Sequence, residues 1–248
     1  MILADSSSPG AYKPAVSVLL TTMPKSGSIY VTKTLAQILD LKTMYIANPA
    51  TGLINEEDAL TFCAGGYVSQ NHLVPSPENL QTLQQLKLKT VLHLRDPRQA
   101  LLSWVHHLDW KYRTEGLILC QPAYYEFSLP SKIDWQIENY FPKLISWTQR
   151  WVEIADEGVI PILITHQDDL RCNEWEFFDR ILAFNQIQLR FKLPNLPRTL
   201  DATHFRKADP EEWKLTFSSK QATRATRGIP ESLQKRFCWD DERFRAAA

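Results

Sequence analysis

The stretch that most constrains this chain runs from residue 16 to residue 39, VSVLLTTMPKSGSIYVTKTLAQIL. Residues 16–22 are a short β-branched and aliphatic run closed by a turn signal, the pattern of a buried strand. A polar loop follows, Met23-Pro24-Lys25-Ser26-Gly27-Ser28. Then Val31, Leu35, Ile38 and Leu39 fall on one face of a 3.6-residue period, which predicts a helix starting near Ser28, with that serine as its N-cap. A strand, a tight loop and a helix in this order place unpaired backbone N–H groups and a partial positive charge at the loop. Gly27 allows close approach to the backbone, Ser26 and Ser28 add hydroxyls, and Lys25 adds a full charge. The expectation is a binding site for a phosphate or sulfonate. The pattern is not the nucleoside-triphosphate loop GxxxxGK[ST], because the lysine precedes the glycine. Taken alone, the six residues also fit a solvated turn.

The 248 residues suffice for one large α/β domain. Lys+Arg and Asp+Glu each total 28, so net charge is zero, which argues against broad nucleic-acid or membrane-surface binding and makes any anion site a local cluster. Cys63, Cys120, Cys172 and Cys238 are widely spaced, with no metal-ligand or redox-pair pattern, and suit a reducing compartment. No apolar run approaches transmembrane length and no signal peptide is evident, so the expected location is cytoplasmic.

Residues 1–14 read as a loose lead-in. Residues 67–69 suggest a short strand that delivers Gln70-Asn71-His72, and residues 58–62 a short helical turn. Residues 75–86 read as a helix, with Pro77 at N1 after Ser76. Residues 89–94, KTVLHL, are a second buried strand, within which His93 reads as packed. Arg95-Asp96-Pro97 then opens a helix over 97–113, with Ser103 about two turns along. Arg95 therefore belongs at the carboxyl end of its strand, the edge where ligands bind in open α/β sheets. Residues 112–132 lack a clean period and are a candidate lid or substrate loop. A long helix is predicted over 135–156, with Trp147 and Trp151 inward and Pro142 kinking it. A third buried strand is predicted over 160–165 and a helix over 173–184. Repeated strand–helix units imply a single domain, residues 1–248, of three-layer α/β/α architecture around a mostly parallel sheet. Of the histidines, His106 and His107 point to different helix faces and do not form a metal pair, while His166 and His204 sit near element ends. Arg206-Lys207 reads by composition as a surface basic pair.

Three elements in order carry a resemblance. Pro24-Lys25-Ser26-Gly27-Ser28-Ile29-Tyr30 is similar to PKSGTTW after a strand. Arg95 and Ser103, inside LRDPRQALLSW, match an arginine followed eight residues later by a helical serine. Residues 206–217, RKADPEEWKLTF, match RKGxxGxWKxxF. Together the chain resembles the sulfotransferases that use 3′-phosphoadenosine 5′-phosphosulfate (PAPS) and release 3′-phosphoadenosine 5′-phosphate (PAP), a family with a P-loop-NTPase-like fold.

The resemblance implies that Lys25, Ser26, Gly27, Ser28, Ile29 and Tyr30 hold the 5′-phosphosulfate side, with Tyr30 standing where an adenine-stacking tryptophan is usual. It implies that Arg95, Ser103, Arg206 and Lys207 hold the 3′-phosphate. Gln70-Asn71-His72-Leu73-Val74 matches the family's K-T-H-L-P-like stretch, so His72 is the candidate general base, with Lys25 stabilising the leaving phosphate. No metal is required, and the partner is a small-molecule acceptor with a hydroxyl or amine. The sequence departs from the pattern at Ile29, Tyr30, Gln70 (a lysine in many members), Ala208 and Glu211. These departures support an alternative, a non-catalytic adenosine-bisphosphate-binding scaffold or sensor. A small-molecule kinase is a more distant reading. Acceptor identity and oligomeric state are not specified by the sequence.

Overall fold

The structure is a computed structural model that describes residues 16–188, 209 and 211–240. The chain alternates β1 (Val18–Thr22), α1 (Ser28–Leu39), β2 (Lys42–Met44), α2 (Glu56–Cys63), β3 (Tyr67–Asn71), α3 (Pro77–Gln85), β4 (Thr90–Leu94) and α4 (Pro97–Glu115). A 3₁₀ turn (Pro122–Glu126), α5 (Leu129–Asn139), α6 (Phe141–Glu157), β5 (Ile162–His166), α7 (Gln167–Cys172) and α8 (Glu174–Phe184) follow. The C-terminal part carries α9 (Glu212–Thr216), α10 (Ser219–Arg227) and α11 (Glu231–Arg236).

The five strands form one sheet in the order β2-β3-β1-β4-β5, every pairing parallel. Alternation along each strand sends its side chains to two separate cores. Leu19 of β1, with Leu92 and Leu94 of β4, packs under α4 and α6 and the C-terminal helices. Val18, Leu20 and Val91 face the other way, against Val31 and Leu35 of α1 and Phe177, Phe178 and Ile181 of α8. The result is the expected three-layer α/β/α arrangement, because strands buried on both faces need a helical layer on each side.

From β1 the chain winds outward through β2; from β4 it winds outward through β5 to the opposite edge. The winding reverses between β1 and β4, and a crevice opens there beyond the carboxyl ends of the strands. Thr22 pairs with His93, Thr21 with Asn71 and Leu94 with His166, so the residues just past all four strands emerge at one rim.

The structure corrects the sequence reading locally. The helix predicted over 135–156 is two helices, α5 and α6, joined at Tyr140. Pro142 sits in the first turn of α6, where its missing N–H costs nothing, rather than kinking a helix interior. The irregular stretch expected over 112–132 is shorter: α4 continues to Glu115, Gly116 ends it with φ +64°, and Ser128 caps α5. Gly27, not Ser28, is the N-cap of α1. Strand β2 and helix α7 were not anticipated. The four cysteines are free, and no helix among the described residues is long and apolar enough to cross a membrane.

Candidate functional site

The loop between β1 and α1 is held by residues of β4 and the position after it. The Met23 N–H donates to the His93 carbonyl (2.9 Å), extending the β1–β4 ladder one step past the strand. An Arg95 guanidinium N–H donates to the Lys25 carbonyl (2.9 Å). The His93 ring Nε2 lies 3.0 Å from the Ser26 carbonyl. Lys25 and Gly27 both adopt left-handed backbone, with φ +66° and +85°. For a lysine that conformation is uncommon, and the bond from Arg95 helps to hold it. A Cβ on Gly27 would lie 3.2 Å from the Gln167 amide nitrogen, so the first residue of α7 closes over the loop at this point.

A glycine N-cap leaves the start of α1 open. In α2, α3, α4, α5, α8 and α10 a side chain at the N-cap accepts a bond from the first turn. Gly27 has no side chain to do so. The Ser26 hydroxyl, fully buried beside these amides, has no hydrogen-bond partner. A buried hydroxyl left this way costs free energy unless something else satisfies it. The donor set of Ser26, the uncapped α1 amides and Lys25 fits a phosphate-like anion.

His72 follows β3 directly and faces the same loop. Its Nδ1 lies 2.7 Å from the Thr22 carbonyl. A carbonyl only accepts, so Nδ1 carries the proton and the Nε2 lone pair is left for another partner. The residue keeps open surface, yet its surroundings are dense enough for desolvation to dominate. That crowding lowers the imidazole pKa below 6.5, the Thr22 bond opposes the shift, and the nearby Lys25 charge adds to it. The segment is braced from outside the sheet. The Leu73 carbonyl accepts from the indoles of Trp147 (2.6 Å) and Trp151 (2.9 Å), both on α6. The Asn79 amide donates to the carbonyls of Val74 and Gly52, 2.8 Å each. Gly52 packs so tightly that a Cβ there would lie 2.7 Å from the His72 carbonyl.

No family model matches the sequence, and no curated protein matches it. Comparison with solved structures does give matches. The chain is similar to mouse sulfotransferase SULT7A1 complexed with PAP, at 16% identity and a TM-score of 0.61, covering 95% of this chain and 90% of that one. This chain has a sulfotransferase fold. Two further matches are a sulfotransferase from Alicyclobacillus acidocaldarius (13% identity, TM-score 0.47, covering 95% and 100%) and a sulfotransferase domain from the curacin biosynthetic pathway (11%, 0.48, 93% and 99%).

On the sulfotransferase fold, the candidates fall into four groups. Lys25, Ser26, Gly27, Ser28, His72 and Arg95 converge on the rim between β1, β3 and β4. Ile29 and Tyr30 lie just inside α1. Ile29 lines a small cavity with Thr32, Lys33, Tyr45 and Gln70, while the Tyr30 hydroxyl bonds to Glu174 at the start of α8. That contact ties α1 to α8, a role the sequence did not suggest. Ser103 is half-buried on α4. Arg206 and Lys207, like His204, lie outside the described residues. Their downstream neighbour Trp213 is fully buried against α4, its backbone N–H donating to the Gln99 side-chain carbonyl (3.0 Å) and its ring 4.1 Å from the Arg98 guanidinium. A second cavity lies beside Arg95, lined also by Gln167, Asp168, Glu211 and Lys214.

Gln70 is nearly buried and spends its amide N–H on the Thr22 hydroxyl (3.1 Å). His166 closes β5 and accepts from the Trp239 indole (2.9 Å), and His107 stacks on Trp110 with Trp104 tilted against its other side. Among the described residues no cluster of His, Cys, Asp or Glu suits a metal ion. Sequence reasoning missed the bracing roles of His93, Trp147 and Trp151. For His93 the available signal was a titratable residue among the apolar positions 91–94, two positions before Arg95.

Proposed function

We propose that this protein transfers a sulfuryl group from PAPS to a hydroxyl or amine of a small-molecule acceptor. The observation that carries the reading is the convergence of Lys25, Arg95 and His72 on one crevice beside an uncapped helix start and a buried, unpartnered Ser26 hydroxyl. A ligand with two separated anionic groups accounts for cations drawn from distant segments. The loop 25–30 then receives the 5′-phosphosulfate, and Arg95 receives the 3′-phosphate together with Ser103, Arg206 and Lys207.

In the transfer, a bond forms between the acceptor heteroatom and sulfur while the bond from sulfur to the bridging phosphate oxygen breaks. His72 Nε2 takes the acceptor proton, which its lone pair and lowered pKa permit at neutral pH. Lys25 stabilises the negative charge that develops on the departing 5′-phosphate. The rest of the work is positioning, as in phosphoryl transfer. The free cysteines suit a reducing compartment.

Two measurements test the reading: calorimetry with PAP, and labelled-sulfate transfer from PAPS across an acceptor panel. The expected result is PAP binding and transfer, with Lys25→Ala losing both and His72→Ala losing transfer but keeping PAP. Full transfer by both variants would defeat the assignment. The second reading, a nucleotide-binding scaffold, is favoured by one observation. Gln70 stands where many sulfotransferases carry a lysine, and its amide is committed to Thr22. Binding of PAP with no transfer to any acceptor would select it.

A further inference from the structure

His93 is fully buried on β4, on the sheet face toward α8, where its ring meets the edge of Phe177 at 5.5 Å. Both ring nitrogens are engaged. Nε2 lies 3.0 Å from the Ser26 carbonyl and Nδ1 lies 3.0 Å from the Thr165 hydroxyl on β5. The carbonyl can only accept, so Nε2 must bear the hydrogen. Nδ1 is then the lone-pair nitrogen and accepts from the Thr165 hydroxyl. The two contacts fix one neutral tautomer. The same residue's carbonyl receives the Met23 N–H, so His93 grips the loop at both ends, at Met23 by backbone and at Ser26 by side chain. Arg95, two residues on, holds the Lys25 carbonyl between them.

Carbonyls turned back toward β4 keep the loop from folding its acceptors toward an anion. Such an arrangement is useful only if it exists before the ligand arrives, since ordering the loop on binding would weaken affinity. We propose that His93 is a positioning residue for the anion loop, holding the Ser26 carbonyl away from the ligand so that the loop meets the 5′-phosphosulfate already formed. The proposal rests on the PAPS reading above. Arg98, Trp147 and Trp151 also brace this end of the sheet, but none of them bonds to the loop itself.

The test compares His93→Leu, which removes the N–H, with His93→Gln, whose side-chain N–H₂ can reach the same carbonyl. Calorimetry with PAP, the KM for PAPS and kcat are measured for both, with the melting temperature of the ligand-free protein as the fold control. Loss of one such bond is expected to weaken PAP binding about tenfold in the leucine variant. The KM for PAPS rises with it, and the acceptor KM stays unchanged. The glutamine variant recovers most of the loss. Wild-type affinity in the leucine variant, or an equal loss in both variants at matched melting temperatures, overturns the proposal.

Nitrogen-15 NMR of the unliganded wild-type protein keeps the proposal testable if the leucine variant does not fold. The expected signal is a neutral His93 ring protonated at Nε2, with slow hydrogen exchange. A ring protonated at Nδ1 overturns the proposal. This measurement needs no PAP, so a wild type that fails to bind PAP counts against the functional reading while the tautomer still decides the brace.

Discussion

His72 and His93 are the same residue type put to opposite uses by their surroundings. Both have pKa values lowered chiefly by desolvation. His72 keeps a nitrogen open to the crevice, and in the proposed role of base it must be neutral to act. The acid-side loss of kcat/KM is therefore expected below pH 6.5. The Lys25 charge contributes to that lowering, so Lys25→Met should move the His72 titration upward when followed by NMR; no upward movement would place the two side chains out of electrical reach. His93 has no opening, and burial lowers it to about 4 against the opposing bond to the Ser26 carbonyl, with His166 and Arg95 pushing it down and Asp169 up. The unfolded chain binds a proton here near pH 6.5 and the folded chain does not. Stability from this group is thus complete above pH 6.5 and is lost as pH falls toward 4, by about 3 kcal/mol in total. Urea midpoints at pH 7, 5.5 and 4 should fall more steeply for wild type than for His93→Gln, and parallel declines would contradict the assignment. The placement of His72 was legible in the sequence because residues 67–69 read as a strand that delivers it. His93 was not, since apolar alternation shows that a strand position is buried without showing what its ring touches.

At the scale of elements, the sequence was read well where local chemistry decides and poorly where it does not. Ser76 and Asp96 cap the helices whose starts they mark in the sequence, and β1 and β4 announce themselves as apolar runs, whereas the caps Asn55 and Ser128 lie in stretches that carry no clean period. Strand β2 was missed because three residues at a sheet edge, two of them exposed, carry no periodic signal. The break at Tyr140 was missed because apolar spacing continues across it while only the backbone turns. Helix α6 also does more than pack. Its Trp147 and Trp151, one turn apart, both donate to the Leu73 carbonyl, next to His72. One donor is enough to satisfy a carbonyl, and losing both leaves it unmet at a cost of about 1–3 kcal/mol. Trp147→Phe and Trp151→Phe should therefore be non-additive in urea denaturation, the double variant losing more than the sum. The double variant should also lower kcat before it changes PAP affinity. Strict additivity would show that the two indoles do not share the carbonyl's stabilisation.

Over the whole molecule, the parallel order of strands follows from repeated strand–helix units, and that much the sequence declared. How the C-terminal helices close onto the sheet depends on contacts between distant residues. The central one is Arg98, almost fully buried at the start of α4. It pairs with Asp96 (2.7 Å), donates to the Thr226 hydroxyl (2.9 Å) and the Trp239 carbonyl (2.6 Å), and lies over Trp213. Removing it strands a carboxylate, a hydroxyl and a carbonyl together. Arg98→Met is expected to cost about 3 kcal/mol or more, read as a lower urea midpoint, and Arg98→Lys should not restore it because an ammonium cannot reproduce the forked geometry. A midpoint within experimental error of wild type would show that the C-terminal helices are held by apolar packing alone. The strand order has a further consequence for biosynthesis. Residues 18–22 leave the ribosome first among the strands, yet their neighbours are residues 68–71 on one side and 91–93 on the other. Until β4 has cleared the exit tunnel, the nascent chain carries its most apolar strand half-sheathed, and that interval is when a chaperone has something to hold.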